Sequence, residues 1–135
     1  MAALADPTIK PIEQNTARYY NRIAVDLGFG GIADNDEEGQ RLARVLGNNR
    51  RIMLGNHGVL VTADTVAEAF DDLYYLERAC QTLVLAYSTG QTLNVMPPDV
   101  AERTARGWDD YKDAAFVHFA EMKEILDAKD PSYAE

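Results

Sequence analysis

The chain has 135 residues, of which 47% are hydrophobic, and its formal net charge at pH 7 is −9. This length predicts one domain with a substantial core. The acidic balance argues against binding to nucleic acid or to an anionic membrane, because both need a basic face. No run approaches the roughly 18 apolar residues of a membrane span, and the N-terminus lacks the pattern of a signal peptide. The single cysteine excludes an intrachain disulfide and fits a cytoplasmic, reducing location.

Short elements are predicted for the first part of the chain. Two prolines favour an extended segment or an edge strand over residues 1–14. Asn15 is a suitable cap for one short helical turn that follows it. Residues 22–27 alternate apolar side chains with polar or small ones, which predicts a half-buried strand whose core face holds Ile23, Val25 and Leu27.

Two local motifs after this strand resemble ligand-binding loops. The Gly28–Gly31 segment has the glycines of a phosphate cradle, but acids follow it instead of a helix start, so a strand exit is preferred. The acids between Asp34 and Glu38 resemble a calcium loop, yet its mid-loop glycine and terminal glutamate are not at the required offsets. We interpret them as the cap and first turn of a helix over residues 37–46. The predicted buried face of that helix holds Leu42, Val45 and Leu46.

The segment Arg51–Thr62 has the pattern of a β-hairpin with a histidine at its tip. Two branched apolar runs, Ile52–Leu54 and Val59–Val61, predict its strands. The glycines between these runs permit turn geometries that a Cβ would make costly. His57 lies between the glycines, either as a solvated hairpin residue or as a metal ligand, since neutral imidazole is the commonest metal ligand in proteins. The spacing alone favours the solvated residue.

The longest predicted element is a helix after the hairpin. Thr65 and Glu68 form a capping box, and apolar residues then recur at three- and four-residue steps over about 24 residues until Gly90. The predicted apolar stripe comprises Val66, Phe70, Leu73, Leu76, Cys80, Leu83, Val84 and Tyr87. Further apolar residues beside this stripe predict a second packing surface, such as another subunit. The position of Cys80 within the stripe favours a packed thiol over a nucleophile.

Two more helices are predicted in the C-terminal part of the chain. Residues 97–99 open the first, which ends at Trp108, and the second runs from Asp110 to about Ala128. His118 lies within an apolar stripe of the second helix, which favours a hydrogen-bonded core or interface histidine over a ligand. Two histidines cannot form a three-histidine metal site. Ser88, His57 and Asp64 have the residue types of a hydrolytic triad, but nothing places Ser88 on a nucleophile elbow.

The motifs around the hairpin resemble those of the class II aldolase/adducin family. Leu54–Thr62 contains an Asn-His-Gly turn like the one found there, residues 65–70 resemble the Val-x-Glu-Ala start of the following helix, and residues 75–80 continue the match. The resemblance extends over about residues 3–95 and is specific over residues 54–80.

This resemblance implies an α/β fold, part of a three-layer α/β/α arrangement with an antiparallel-rich sheet and long C-terminal helices. Residues 1–95 would form the C-terminal half of the family domain, and residues 96–135 a helical extension. It also implies a homo-oligomer, a tetramer in the family's lyases, and a small-molecule carbonyl substrate. Such lyases cleave a carbon–carbon bond in a sugar phosphate or oxo-acid with the help of a divalent ion, usually zinc.

Under this resemblance His57 corresponds to one of three histidines that hold the ion. The other two belong to an upstream His-x-His, which this sequence lacks, as it lacks the upstream acid/base glutamate and phosphate loop. A catalytic zinc needs three protein ligands. We therefore expect weak zinc binding and no lyase activity from this chain alone, and we assign no catalytic residue. The alternatives are a non-catalytic, adducin-like interaction module and a fragment without independent function.

Overall fold

The computed structural model describes residues 1–28, 31–32, 35–111 and 113–134. Within these ranges three strands form one sheet, and helices pack against it. The elements are, in chain order, α1 (Gln14–Ala17), β1 (Ala24–Asp26), α2 (Asp36–Leu46), β2 (Arg51–Leu54), β3 (Gly58–Val61), α3 (Val66–Ser88), α4 (Pro98–Asp109), α5 (Ala114–Lys129) and a final 3₁₀ turn (Pro131–Ala134). None of the helices within the described ranges has both the length and the apolar character that crossing a bilayer requires.

The central strand of the sheet is β2, whose residues 52–54 are all buried. It pairs in parallel with β1 and antiparallel with β3, so the sheet is mixed. Met53 packs in one cluster with Leu76 and Leu83 of α3, while α2 contacts β1 and β2. Because side chains alternate between the two faces of a strand, this arrangement places α3 on one face of the sheet and α2 on the other. The predicted α/β fold class is thus confirmed.

In β1 the buried and exposed residues are the reverse of the prediction. Val25 and Leu27 are exposed, whereas Asp26 is buried. The Asp26 carboxylate lies 2.7 Å from the Arg41 guanidinium of α2. Val25 lies beside Met53 in the sheet, but α3 packs over the side of the sheet that holds β3 and leaves β1 uncovered. The prediction was therefore wrong at Val25 and Leu27, because an ion pair with α2 buries the other side of β1. Ile23, the remaining residue of the predicted face, packs against the core cluster.

The first two helices begin at caps that differ in part from the predictions. Glu13, rather than Asn15, caps α1: its carboxylate accepts hydrogen bonds from the backbone N–H groups of Asn15 and Thr16. Asn35 caps α2 by accepting a bond from the Glu38 N–H at 2.9 Å. The predicted apolar face of α2 is only half-buried. The phosphate-cradle and calcium-loop motifs include residues 29–30 and 33–34, which lie outside the described part of the chain.

The long helix α3 is confirmed, and Leu76, Cys80 and Leu83 of the predicted stripe are buried, but the rest of its buried face differs from that stripe. Its buried residues are Ala67, Asp71, Asp72, Leu76, Ala79, Cys80 and Leu83. Val66, Leu73 and Val84 belong to the predicted stripe and are exposed. The Thr65 hydroxyl accepts the Glu68 N–H as predicted, but the Glu68 carboxylate accepts a bond from that hydroxyl instead of from the backbone. The face of α3 that packs inward therefore includes two carboxylates.

The thiol of Cys80 is packed inside the hydrophobic cluster. Burial raises the pKa of this thiol above its ordinary value, which keeps it in the unreactive protonated form. The predicted packed thiol is confirmed. The last helix, α5, starts at Ala114 and so begins later than the predicted Asp110.

Candidate functional site

A three-residue turn joins β2 to β3 and places His57 at its end. Leu54 pairs with Gly58 across the hairpin, and the His57 N–H donates to the Leu54 carbonyl at 3.2 Å. Asn56 adopts a left-handed φ of 56°, which asparagine tolerates better than most residues. The His57 side chain is exposed. The predicted hairpin with a histidine at its tip is thus confirmed.

The backbone of this turn is held by two other parts of the chain. The Gly55 N–H donates to the Asp26 carbonyl at 2.7 Å, and the Asn56 N–H donates to the Ala2 carbonyl at 3.0 Å. A Cβ on Gly55 would lie 3.1 Å from the Leu27 Cα and 3.3 Å from the Asp26 carbonyl oxygen. Glycine is therefore required for the close approach of the turn to the end of β1. These contacts fix the position from which His57 projects.

The other residues considered for chemistry with His57 are engaged elsewhere. The Ser88 hydroxyl donates to the Leu85 carbonyl at 2.7 Å, and Asp64 forms an ion pair with Arg50 at 2.7 Å. No group of three His, Cys, Asp or Glu residues that could hold a metal ion occurs within the described ranges. The described residues therefore bring one imidazole to this end of the sheet, and no complete hydrolytic or metal centre.

His118, the second histidine, is packed between α3 and α5. Its Nδ1 lies 2.8 Å from an Asp71 carboxylate oxygen. Its ring centroid lies 5.4 Å from that of Phe70, 4.7 Å from that of Tyr74 and 5.7 Å from that of Tyr75. These contacts confirm the prediction of a hydrogen-bonded histidine in a packed helix interface.

Asp71 and Asp72 form a buried charge cluster that the sequence analysis missed. The Arg18 guanidinium lies 2.8 Å from the Asp71 carboxylate, and the Arg51 Nε donates to the Asp72 carboxylate. The Tyr19 hydroxyl donates to the Asp72 carbonyl at 2.9 Å, and burial raises the pKa of Tyr19 above its ordinary value. One signal was available, since Asp72 lies four residues before Leu76 and hence on the same face of the helix.

An open cavity of about 530 Å³ adjoins this cluster. Its walls include Arg18, Arg51 and Asp72 from the cluster, Trp108 near the C-terminal end of α4, and Tyr111 just after that helix. Arg51 begins β2 and Leu54 ends it, so the cavity and the His57 turn lie at opposite ends of that strand. The cavity and the His57 turn are therefore separate places on the molecule.

Comparison with known proteins assigns the family. The family model described as "Class II Aldolase and Adducin N-terminal domain" matches residues 1–84. The chain belongs to the class II aldolase/adducin family. An aldolase II superfamily protein from Pseudomonas syringae has a crystal structure that superposes on 99% of this chain with a TM-score of 0.89 and 27% sequence identity.

The matching proteins are considerably longer than this chain. A Caulobacter vibrioides protein assigned to aldolase class 2 is 38% identical over 78 residues, which is 58% of this chain and 30% of that protein. The decarboxylase NovR of Streptomyces niveus is 26% identical over 133 residues, covering 93% of this chain and 46% of NovR. The superposition on the Pseudomonas protein covers 54% of that structure. The chain thus spans about half or less of each of these proteins.

Proposed function

We propose that this chain supplies His57 as one ligand of a divalent-metal site in a class II aldolase-type lyase. The substrate class is a sugar phosphate or an oxo-acid, cleaved at a carbon–carbon bond. The observation that carries this proposal is the exposed His57 imidazole at the end of a turn whose backbone is tied to β1 and to the N-terminal segment. A bound zinc ion would supply a Lewis acid for the substrate oxygens.

The described residues do not by themselves fit a complete zinc site, because they contribute one imidazole where three protein ligands are needed. We therefore place the remaining ligands, the acid/base group and the phosphate-binding loop on polypeptide outside this chain. Two exposed apolar residues, Val25 in β1 and Leu27 just after it, support this, since a further layer or strand would cover them. We keep residues 1–95 as the family half-domain and residues 96–135 as its helical extension.

Zinc retention tests this proposal directly. After the chain is loaded with zinc and dialysed exhaustively, we expect far less than one zinc per chain by elemental analysis, because one imidazole cannot hold the ion tightly. One tightly held zinc per chain would contradict the proposal.

The identity of the ligand can be tested in the same samples by NMR. The chain has two histidines, so their imidazole signals can be followed separately. Zinc titration should shift the signals of His57 and leave those of His118 unchanged, because the Nδ1 of His118 is engaged by Asp71. The His57→Ala variant should lose this response. A response that persists in the variant, or one confined to His118, would show that His57 is not the ligand.

Two other functions are distinguished by the DNA upstream of the Met1 codon. The absence of a complete ligand set within the described ranges favours a non-catalytic, adducin-like module or a fragment without function of its own. An in-frame His-x-His and glutamate upstream would support the lyase. An upstream half with those residues replaced would support the module, and no upstream reading frame would support the fragment.

We also propose that copies of this chain associate with one another in the cytoplasm. Leu73, Val84 and Leu85 are exposed on α3 and form a surface suited to a second copy of this chain. We expect size-exclusion chromatography with light scattering to give a mass above the monomer's. A monodisperse monomer at high concentration would exclude this interface.

A further inference from the structure

The cavity beside the buried charge cluster is separate from the His57 turn. Its volume, about 530 Å³, lies within the range of small-molecule sites. It lies at the end of β2 that begins with Arg51, whereas the turn follows Leu54 at the other end. The proposed metal ligand therefore does not account for the side chains that line this cavity.

Arg51 brings unused hydrogen-bond donors to the cavity. A guanidinium carries five N–H donors in a planar fork. Within the described part of the chain, Arg51 uses its Nε to bind Asp72, and its two Nη groups bond no residue. The guanidinium also lies over the Tyr19 ring at 5.2 Å, which fixes its plane. The outer edge of this fork can bind a carboxylate through two parallel hydrogen bonds.

Another part of the cavity lining is aromatic. The Trp108 indole N–H donates to the Gln14 carbonyl at 3.1 Å, which holds the ring in place. The Tyr111 ring lies 6.1 Å from the Trp108 ring and is largely exposed. Arg18 links this part to Arg51, because its guanidinium lies 5.4 Å from the Trp108 ring and 3.8 Å from the Asp72 carboxylate that Arg51 binds. A planar apolar group fits beside such rings.

The charged residues of the cavity nearly balance one another. Its described lining holds five carboxylates and four guanidinium groups, a formal charge of −1. Asp64 and Asp109 are paired with Arg50 and Arg22, which also line the cavity, so the excess negative charge near an entering ligand is small. A phosphate dianion meets about twice the repulsion that a monocarboxylate meets, because Coulomb energy scales with ligand charge. The guanidinium fork therefore favours one carboxylate, and the aromatic wall favours a flat body attached to it.

We propose that this cavity binds a planar aromatic monocarboxylate, with the carboxylate on the Nη groups of Arg51 and the ring against Trp108 and Tyr111. The proposal does not depend on a metal at His57. Binding of this kind would make the cavity a recognition site for an aromatic acid, either as a substrate part or as an effector.

Trp108 provides the readout, because it is the single tryptophan of the chain. Titration with sodium benzoate at constant ionic strength should change its fluorescence saturably. Benzamide has the same shape without the charge, and inorganic phosphate has the charge without the ring, so both should give at least tenfold weaker responses. A benzoate response that does not saturate, or equal responses to all three probes, would overturn the proposal.

Two variants and one control locate the site. Arg51→Lys keeps the positive charge beside Asp72 but removes the fork, and we expect at least a tenfold rise in the Kd for benzoate. Tyr111→Leu removes an exposed ring, so it tests the aromatic wall without disturbing the core and should also raise the Kd. Arg44→Gln, an exposed change in α2 away from the cavity, should leave the Kd unchanged. If Arg51→Lys does not fold, an unchanged Kd in Tyr111→Leu is sufficient to reject the site.

Discussion

Replacement of Asp72 by alanine should lower the free energy of unfolding by about 3–5 kcal/mol, the usual cost of breaking a buried ion pair from one side. Asp72 is 4% exposed, and its carboxylate is the partner of the Arg51 Nε. Arginine stays protonated in proteins, so the substitution removes the anion from a guanidinium whose side chain is only 15% exposed. Urea denaturation followed by far-UV circular dichroism measures the loss.

The neighbouring pair Arg50–Asp64 is the matched control. It has a similar short separation, 2.7 Å, but its side chains are 51% and 78% exposed. Solvent and salt screen such a pair, so Asp64→Ala should change the free energy of unfolding by at most about 1 kcal/mol. Equal losses at the two aspartates would show that burial is not what makes the Asp72 pair important. Adding Arg51→Met to Asp72→Ala should recover part of the loss, because the unpaired charge is then gone.

The features that the sequence predicted correctly depend on residues close together in the chain. The hairpin follows from two branched apolar runs around Gly55 and Gly58, and the start of α3 follows from the Thr65 cap. His57 was located at the hairpin tip because the turn that carries it is fixed by the same few residues. In each case the contacts that determine the structure are between residues only a few positions apart in the sequence.

The buried faces of β1 and α3 could be predicted only in part in this way: Leu76, Cys80 and Leu83 of the predicted α3 stripe are buried, but the buried aspartates were not foreseen. Apolar spacing favours Val25 and Leu73 as core residues, yet Asp26 and Asp72 are buried because arginines from other elements neutralise them. These partners are distant in the sequence; Arg51 and Asp72 are 21 residues apart. The spacing of apolar residues carries no information about such ion pairs. A prediction based on that spacing therefore fails where tertiary contacts bury a charged residue.

The cavity was missed for a related reason. Its walls come from the segment just after α1, from the start of β2, from the N-terminal part of α3 and from the C-terminal end of α4 with the residues that follow it. No local motif connects Arg51 with Trp108, and neither residue has sequence neighbours that indicate a binding site. Only the packing of α4 against α1 brings the indole next to Arg18.

Leu76→Ala and Leu73→Ala should differ strongly in their effect on stability. Leu76 is 1% exposed and packs with Met53 and Leu83, whereas Leu73 is 47% exposed on the same helix. We expect Leu76→Ala to lower the free energy of unfolding by about 2–5 kcal/mol and Leu73→Ala to change it by about 0.5 kcal/mol or less. Both substitutions exchange leucine for alanine inside α3, so the difference in helix propensity is the same and the comparison isolates burial.

Measuring stability at several protein concentrations distinguishes a residue buried within one chain from a residue buried between two copies of the chain. Urea denaturation at a dilution where the chain is monomeric measures the stability of the fold alone. Under that condition, a loss of unfolding free energy for Leu73→Ala as large as that for Leu76→Ala would show that Leu73 lies in the core, contrary to the observed buried face. If Leu73 lies in a self-association surface, its substitution should cost more as concentration rises, because a partner that binds only the folded chain stabilises it by mass action. The loss at Leu76 should persist at every dilution, since its contacts lie within one chain.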